Sequence, residues 1–225
     1  MSKEKFQTIV ADPAWSFLDS LKMSDVARGA QANYNTMTIS RIKELPVKQV
    51  SDPNGALLVL WVPSSLLQEG LDVMKSWGFI HKQTYIWVKH KKEPLLSLLK
   101  KFVIQVNNNG FKKTILDISK SFNLNDTLAF GMGRLFRQTH EIALVGINNK
   151  NIYKLLKNKS QRSVSLDVNM KHSKKPDHLQ NSLEIMFPDT NKLELFARRK
   201  KDGWTCIGNE VCNGEDIFIS LSKLL

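Results

Sequence analysis

The chain has 225 residues, 42% of them hydrophobic, and 33 Lys and Arg against 21 Asp and Glu give it a formal charge of +12. That length can bury one sizeable core without a division, so residues 1–225 are read as a single domain. It holds no apolar run of about 18 residues and no signal-peptide pattern at Met1–Lys5. Those absences set aside a membrane protein and predict an intracellular one, cytoplasmic or at the nucleoid or nucleus.

The first apolar run, Phe6-Gln7-Thr8-Ile9-Val10, predicts a short buried strand, and Ala11-Asp12-Pro13-Ala14-Trp15 follows it directly. A carboxylate, a stiff proline and a large ring at the carboxyl end of a strand suit the alkylation of an extruded adenine's exocyclic amine. That amine is a poor nucleophile because its lone pair is delocalised into the ring. The Asp12 carboxylate and the Pro13 carbonyl, set on its two N–H bonds, would draw the nitrogen toward a tetrahedral geometry in the transition state. Pro13 holds φ near −65° and helps aim that carbonyl. Trp15 would stack on the base, an interaction worth roughly 1–3 kcal/mol. Asp-Pro is also an ordinary turn opener, and on the motif alone that reading stays open.

Ala56-Leu57-Leu58-Val59-Leu60-Trp61-Val62 is too apolar for a half-exposed strand and predicts the centre of a parallel sheet. Beyond Pro63, Ser64 or Ser65 offers an N-cap, and Leu67, Leu71, Met74 and Trp77 recur at helical spacing until Gly78. Gln83–Lys89 predicts the next strand. This β-α-β order implies parallel strands joined by right-handed crossovers.

Residues 91–127 differ in texture: they hold seven lysines and two amphipathic stretches parted by Asn107-Asn108-Asn109-Gly110. They predict a basic helical insertion. Its second stretch carries a stripe of Phe111, Ile115, Ile118 and Phe122, which simple core packing explains better than a partner helix or nucleic acid does. The charge is uneven, because residues 89–203 carry 23 Lys and Arg against 10 acidic residues. Such a field attracts a polyanion through salt-sensitive phosphate contacts, with a solvated basic face as the plain alternative.

Gly131-Met132-Gly133 lacks the third glycine of a dinucleotide fingerprint and reads as a tight loop. His140–Ile147 predicts a strand. Pro176 stands at a plausible first helical position ahead of Leu179, Leu183 and Met186, and strands are predicted at Lys192–Arg198 and Trp204–Gly208. Cys206 and Cys212 have neither Cys-x-x-Cys spacing nor a His pair nearby, so they read as free thiols and no metal is expected.

In this order the pieces resemble the adenine-N6 methyltransferase family defined by an Asp-Pro-Pro-Trp motif, which includes the catalytic subunit of the eukaryotic messenger-RNA adenosine methyltransferase and phage and bacterial DNA-modifying relatives. The matching residues are Ala11–Trp15, Tyr34-Asn35-Thr36-Met37, Leu60-Trp61-Val62, Ile86-Trp87-Val88-Lys89, His140-Glu141 with Leu144-Val145-Gly146, Ser173-Lys174-Lys175-Pro176-Asp177, Leu193–Arg198 and Trp204–Glu210. The resemblance implies an α/β, Rossmann-like S-adenosylmethionine-dependent methyltransferase fold: a mostly parallel sheet with helices on both faces and the basic helical insertion.

It further implies methyl transfer to N6 of adenine in nucleic acid, DNA favoured over RNA. Asp12, Pro13 and Trp15 would be catalytic. Lys175, Phe196, Arg198, Asn209 and Glu210 would bind S-adenosylmethionine, while Tyr34, Trp61 and Lys89 would serve the substrate. Two positions depart from the pattern: Ala14 stands for the second motif proline, and Glu210 for a glutamine. The rival reading is a catalytically silent nucleic-acid-binding subunit of a methyltransferase complex, and a homodimer or a heteromeric partner is left open.

Overall fold

The computed structural model describes residues 5–16, 36–92, 94–121, 124–129, 131, 135–168 and 174–225. In chain order they form β1 (Thr8–Ala11), α1 (Ile39–Lys43), α2 (Val47–Val50), β2 (Leu57–Val62), α3 (Leu67–Ser76), β3 (Ile80–His90), α4 (Pro94–Asn109), α5 (Phe111–Ser121), β4 (His140–Ile147), β5 (Val164–Val168), α6 (His178–Met186), β6 (Lys192–Leu195), β7 (Trp204–Ile207) and α7 (Ile217–Ser222). They fall into two compact units, one of residues 1–85, 142–163 and 179–225, the other of 86–141 and 164–178.

The first unit is built on a sheet whose strands run in the order β3-β4-β2-β1-β6-β7. β1 pairs in parallel with β2 on one side and β6 on the other, Val10 standing opposite Val59 and Glu194, and β6 pairs in parallel with β7. β4 runs against β2, with Leu60 opposite Leu144. All six residues of β2 are buried, which is why the sequence shows no polar alternation there: a strand covered on both faces has no wet side.

α3 lies on β2 because Gly70 has no side chain. A Cβ at Gly70 would stand 2.6 Å from Cγ2 of Val62. Val73, Met74 and Trp77 complete the buried face, and the Trp77 indole N–H donates to the Ile42 carbonyl at 2.9 Å. The predicted serine cap is corrected. Ser64 and Ser65 lie in a 3-10 turn, the Pro63 carbonyl accepts the Leu66 N–H at 2.8 Å, and α3 starts at Leu67 with no side-chain cap. Leu67, expected on the apolar face, is exposed.

In the second unit the far half of β3 pairs in parallel with β5, Trp87 opposite Ser165 and Lys89 opposite Asp167. α4 and α5 form a hairpin hinged at Gly110, whose φ of 77° favours glycine, with Phe102 edge-to-face on Phe111 at 6.1 Å. The helical insertion is therefore present. Packing its stripe into a core is not: Phe111 is 64% and Ile115 45% exposed, because a two-helix hairpin buries little more than the seam between its helices. Phe122 lies outside the described residues, as do Met132 and Gly133.

Candidate active site

The four parallel strands β2, β1, β6 and β7 end on the same edge of the first unit's sheet, and the residues singled out from sequence sit at those ends. Strand order turns back at β1, since β2 follows on one side and β6 lies on the other. Open α/β sheets bind ligands in the crevice beyond the strand ends at such a point.

Asp12 leaves β1 half-buried, and its backbone N–H donates to the Leu195 carbonyl at 3.4 Å, which ties the end of β1 to that of β6. Pro13 is buried, and its carbonyl accepts the Trp15 N–H at 2.9 Å. A carbonyl has two lone pairs, so one remains for a substrate. Ala14 takes part through its carbonyl, which accepts the Met37 N–H at 2.8 Å. A proline would supply that carbonyl equally well.

Trp15 is 4% exposed, and its indole N–H donates to the Trp61 carbonyl at 2.9 Å, locking the ring to the end of β2. Trp61 in turn meets Tyr85 edge-to-face at 6.1 Å. Tyr34 lies outside the described residues, and so does Asn35.

β6 stops at Leu195 rather than at Arg198 as predicted, because Phe196 turns into the left-handed region with φ 63°. A non-glycine residue held there costs about 1–3 kcal/mol and persists only where the surroundings over-determine it. Here the surroundings are close. The Ala197 N–H donates to the Ile207 carbonyl at 2.8 Å, and a Cβ on Gly208 would stand 2.2 Å from the Ala197 carbonyl oxygen. Gly208 thus lets the loops after β6 and β7 press together. The turn that follows closes by Cys212 N–H to Gly208 carbonyl at 2.9 Å and Gly214 N–H to Asn209 carbonyl at 2.8 Å. On these loops Arg198 Nε lies 3.7 Å from Glu210 Oε1, and Asn209 is exposed.

Two carboxylates escaped the sequence reading. Glu194 points from the middle of β6, its carboxyl pushed up by burial and further by the neighbouring Asp12 carboxylate. Cys206 Sγ lies 3.9 Å from it, and burial raises that thiol as well. A lone charge within an otherwise apolar strand was the available signal. The second is Glu141, which receives Lys89 Nζ at 2.6 Å on one oxygen and Lys175 Nζ at 3.2 Å on the other. Burial works to raise the Glu141 carboxyl, but the charges and hydrogen bonds of Lys175 and Lys89 together hold it below its ordinary value. Lys89 and Lys175 are thereby brought together within the second unit, and Lys89 Nζ also stands 5.0 Å from the Trp87 ring centroid. Among the described residues no cluster of His, Cys, Asp and Glu could hold a metal ion.

A mostly parallel open sheet, with acidic, basic and aromatic residues gathered at the ends of the strands around its switch point, defines a Rossmann-like methyltransferase fold. The chain belongs to the MT-A70 family, whose model matches residues 6–115 and 109–210. It is 25% identical over 213 residues to a probable N(6)-adenosine-methyltransferase MT-A70-like protein of Oryza sativa subsp. japonica, covering 92% of this chain and 23% of that one. It is 26% identical over 228 residues to the N(6)-adenine-specific methyltransferase METTL4 of Homo sapiens, covering 98% and 41%. With the type II methyltransferase M.MunI of Mycoplasma sp it shares 23% identity over 230 residues, covering 94% and 80%. The chain spans about a quarter of the length of the plant relative and less than half of METTL4.

Proposed function

We propose that this chain transfers a methyl group from S-adenosylmethionine to the N6 amine of adenine in nucleic acid, with DNA as the favoured substrate. The observation that carries the reading is the hydrogen-bonded junction of Asp12 with Leu195, which sets the acceptor pair of β1 beside the loops that end β6 and β7. Similarity to M.MunI, of whose length the chain covers 80%, favours DNA.

The donor set fits S-adenosylmethionine. Arg198 suits the donor's carboxylate, Asn209 and Glu210 suit a ribose diol, and Phe196, in its left-handed turn, offers an apolar ring beside them. The Arg198–Glu210 pair is long and solvent-facing, so it holds the two side chains loosely and yields to a ligand at small cost. When bound, the donor supplies an electrophilic methyl group on a sulfonium.

The protein's part is acceptance and positioning. Asp12 takes one N–H of the amine and the free lone pair of Pro13 takes the other. The nitrogen lone pair then leaves conjugation with the ring as the new C–N bond forms, and the amine proton departs afterwards, so no strong base is needed. Trp15, fixed by its bond to the Trp61 carbonyl, and Trp61 wall the base. In the second unit Glu141 holds Lys89 and Lys175 side by side, two cations suited to anionic parts of substrate or donor.

The test is transfer of labelled methyl from S-adenosylmethionine to adenine-containing DNA and RNA. Parent protein is expected to label, and Asp12→Ala to lose about 100-fold or more in kcat, the size of a lost transition-state partner. Equal labelling by both removes Asp12 from the chemistry. Donor binding by calorimetry, with no transfer to either polymer, would replace this reading with that of a silent subunit.

A further inference from the structure

Lys89 anchors both stems of a loop in the second unit. The Lys89 carbonyl accepts the Ala129 N–H at 2.9 Å, and its own N–H donates to the Thr139 carbonyl at 2.8 Å. Between these roots Gly131 and Gln138 form an antiparallel bridge, with Gly131 N–H donating to the Gln138 carbonyl at 2.8 Å. Leu135 and Phe136 lie within the loop so closed. They are 93% and 87% exposed, whereas the next most exposed large apolar residue described, Leu166, is at 65%. Scattered exposed apolar residues are ordinary, but two adjacent ones held bare on a closed loop mark a contact surface.

Chemistry and area select the occupant. From Thr127 to His140 there is no Asp or Glu, and Arg134 and Arg137 flank the pair in sequence. An apolar pair set among cations suits a ligand that is anionic outside and apolar between its stacked layers. A stable protein interface needs about 800 Å² per partner. An aromatic side chain supplies about 150–250 Å², so a pair of this size falls well short, whereas one or two apolar side chains suffice to part a base step.

Resting on the nucleic-acid reading above, the geometry points to the loop Gly131–Gln138 as a wedge: Leu135 and Phe136 insert between bases of duplex DNA and fill the gap that an extruded nucleotide leaves. Rooting the loop on the backbone of Lys89 couples that insertion to the Lys89–Glu141–Lys175 cluster.

A wedge that fills a gap binds best where the gap already exists. The experiment measures binding of the full chain to a short DNA duplex, to the same duplex with one abasic site, and to its single strand, over a range of salt. The parent is expected to prefer the abasic duplex by about tenfold, the scale of one stacked base. Phe136→Ala and Leu135→Ala, at exposed positions that leave the core untouched, should erase that preference while the salt dependence on intact duplex stays the same. Phe136→Trp should restore it.

A parent without the preference, or alanine variants that keep it, overturns the wedge. If the alanine variants instead abolish self-association in sedimentation and leave the DNA ratio unchanged, the loop is a contact between copies of the chain. Methyl transfer to single-stranded DNA is assayed beside the binding. Transfer without the abasic preference sinks the wedge alone, while the preference without transfer to any polymer sinks the enzymatic reading alone.

Discussion

Asp12, Glu194 and Gly208 show how much of the chemistry rests on single side chains. The Glu194 carboxyl is raised by burial and by Asp12, so the folded chain binds its proton more tightly than the unfolded chain does. Its stabilising contribution is complete below the ordinary value of 4.5 and is lost as pH rises through the raised folded value. Glu194→Gln is therefore expected to raise thermal stability near neutral pH by about 2–4 °C, the equivalent of roughly 1 kcal/mol in a chain of this size, with the gain vanishing below about pH 4. Melting curves across pH check this, and a constant difference would show that titration is not the cause. Glu141 behaves in the opposite sense: its lowered carboxyl contributes above 4.5 and is lost as pH falls through the folded value. Gly208→Ala forces the Ala197 loop to move. Calorimetry should read donor affinity down by about tenfold or more with the melting transition retained; unchanged affinity would separate this loop pair from the donor.

Elements were legible where burial is one-sided or complete over a whole segment. β2, β3, β4, β7 and the helix after Pro176 stand close to their predicted limits because apolar runs and 3.6-residue spacing are local signals. Four features were missed for a shared reason. α1, α2 and β5 are short and weakly patterned, and the end of β6 is set by the left-handed turn at Phe196, which answers to Gly208 and Ile207 rather than to its own neighbours in sequence. The exposed stripe on α5 was misjudged because amphipathic spacing records that a face is apolar, not that anything covers it. Packing at this scale is tested at Gly70, where Gly70→Val would push α3 off Val62. Overpacking of this kind costs about 1–3 kcal/mol or more, read as a lower denaturant midpoint. A neutral result would show that α3 does not rest on β2 as described.

For the whole molecule the excess positive charge carries the expectation. Binding to duplex DNA should weaken linearly on logarithmic axes as salt rises, with a slope near −0.9 per phosphate contacted. Lys112 and Lys113 are exposed on α5. If that helix meets phosphate, replacing both with Glu should flatten the slope by about 2. An unchanged slope would confine the footprint to other cations.

Sequence by itself determined the α/β class, the mostly parallel sheet and the residue types that follow each strand, because side-chain periodicity and turn chemistry act over a few residues. Tertiary structure alone decided which strand ends become neighbours. It set Asp12 against Leu195, clasped Lys89 and Lys175 on Glu141, put an antiparallel β4 beside β2, and left Leu135 and Phe136 bare. Those pairings join residues distant along the chain, and they follow from which faces can be buried together and which backbone groups can be hydrogen-bonded at once, conditions that no local stretch of sequence contains.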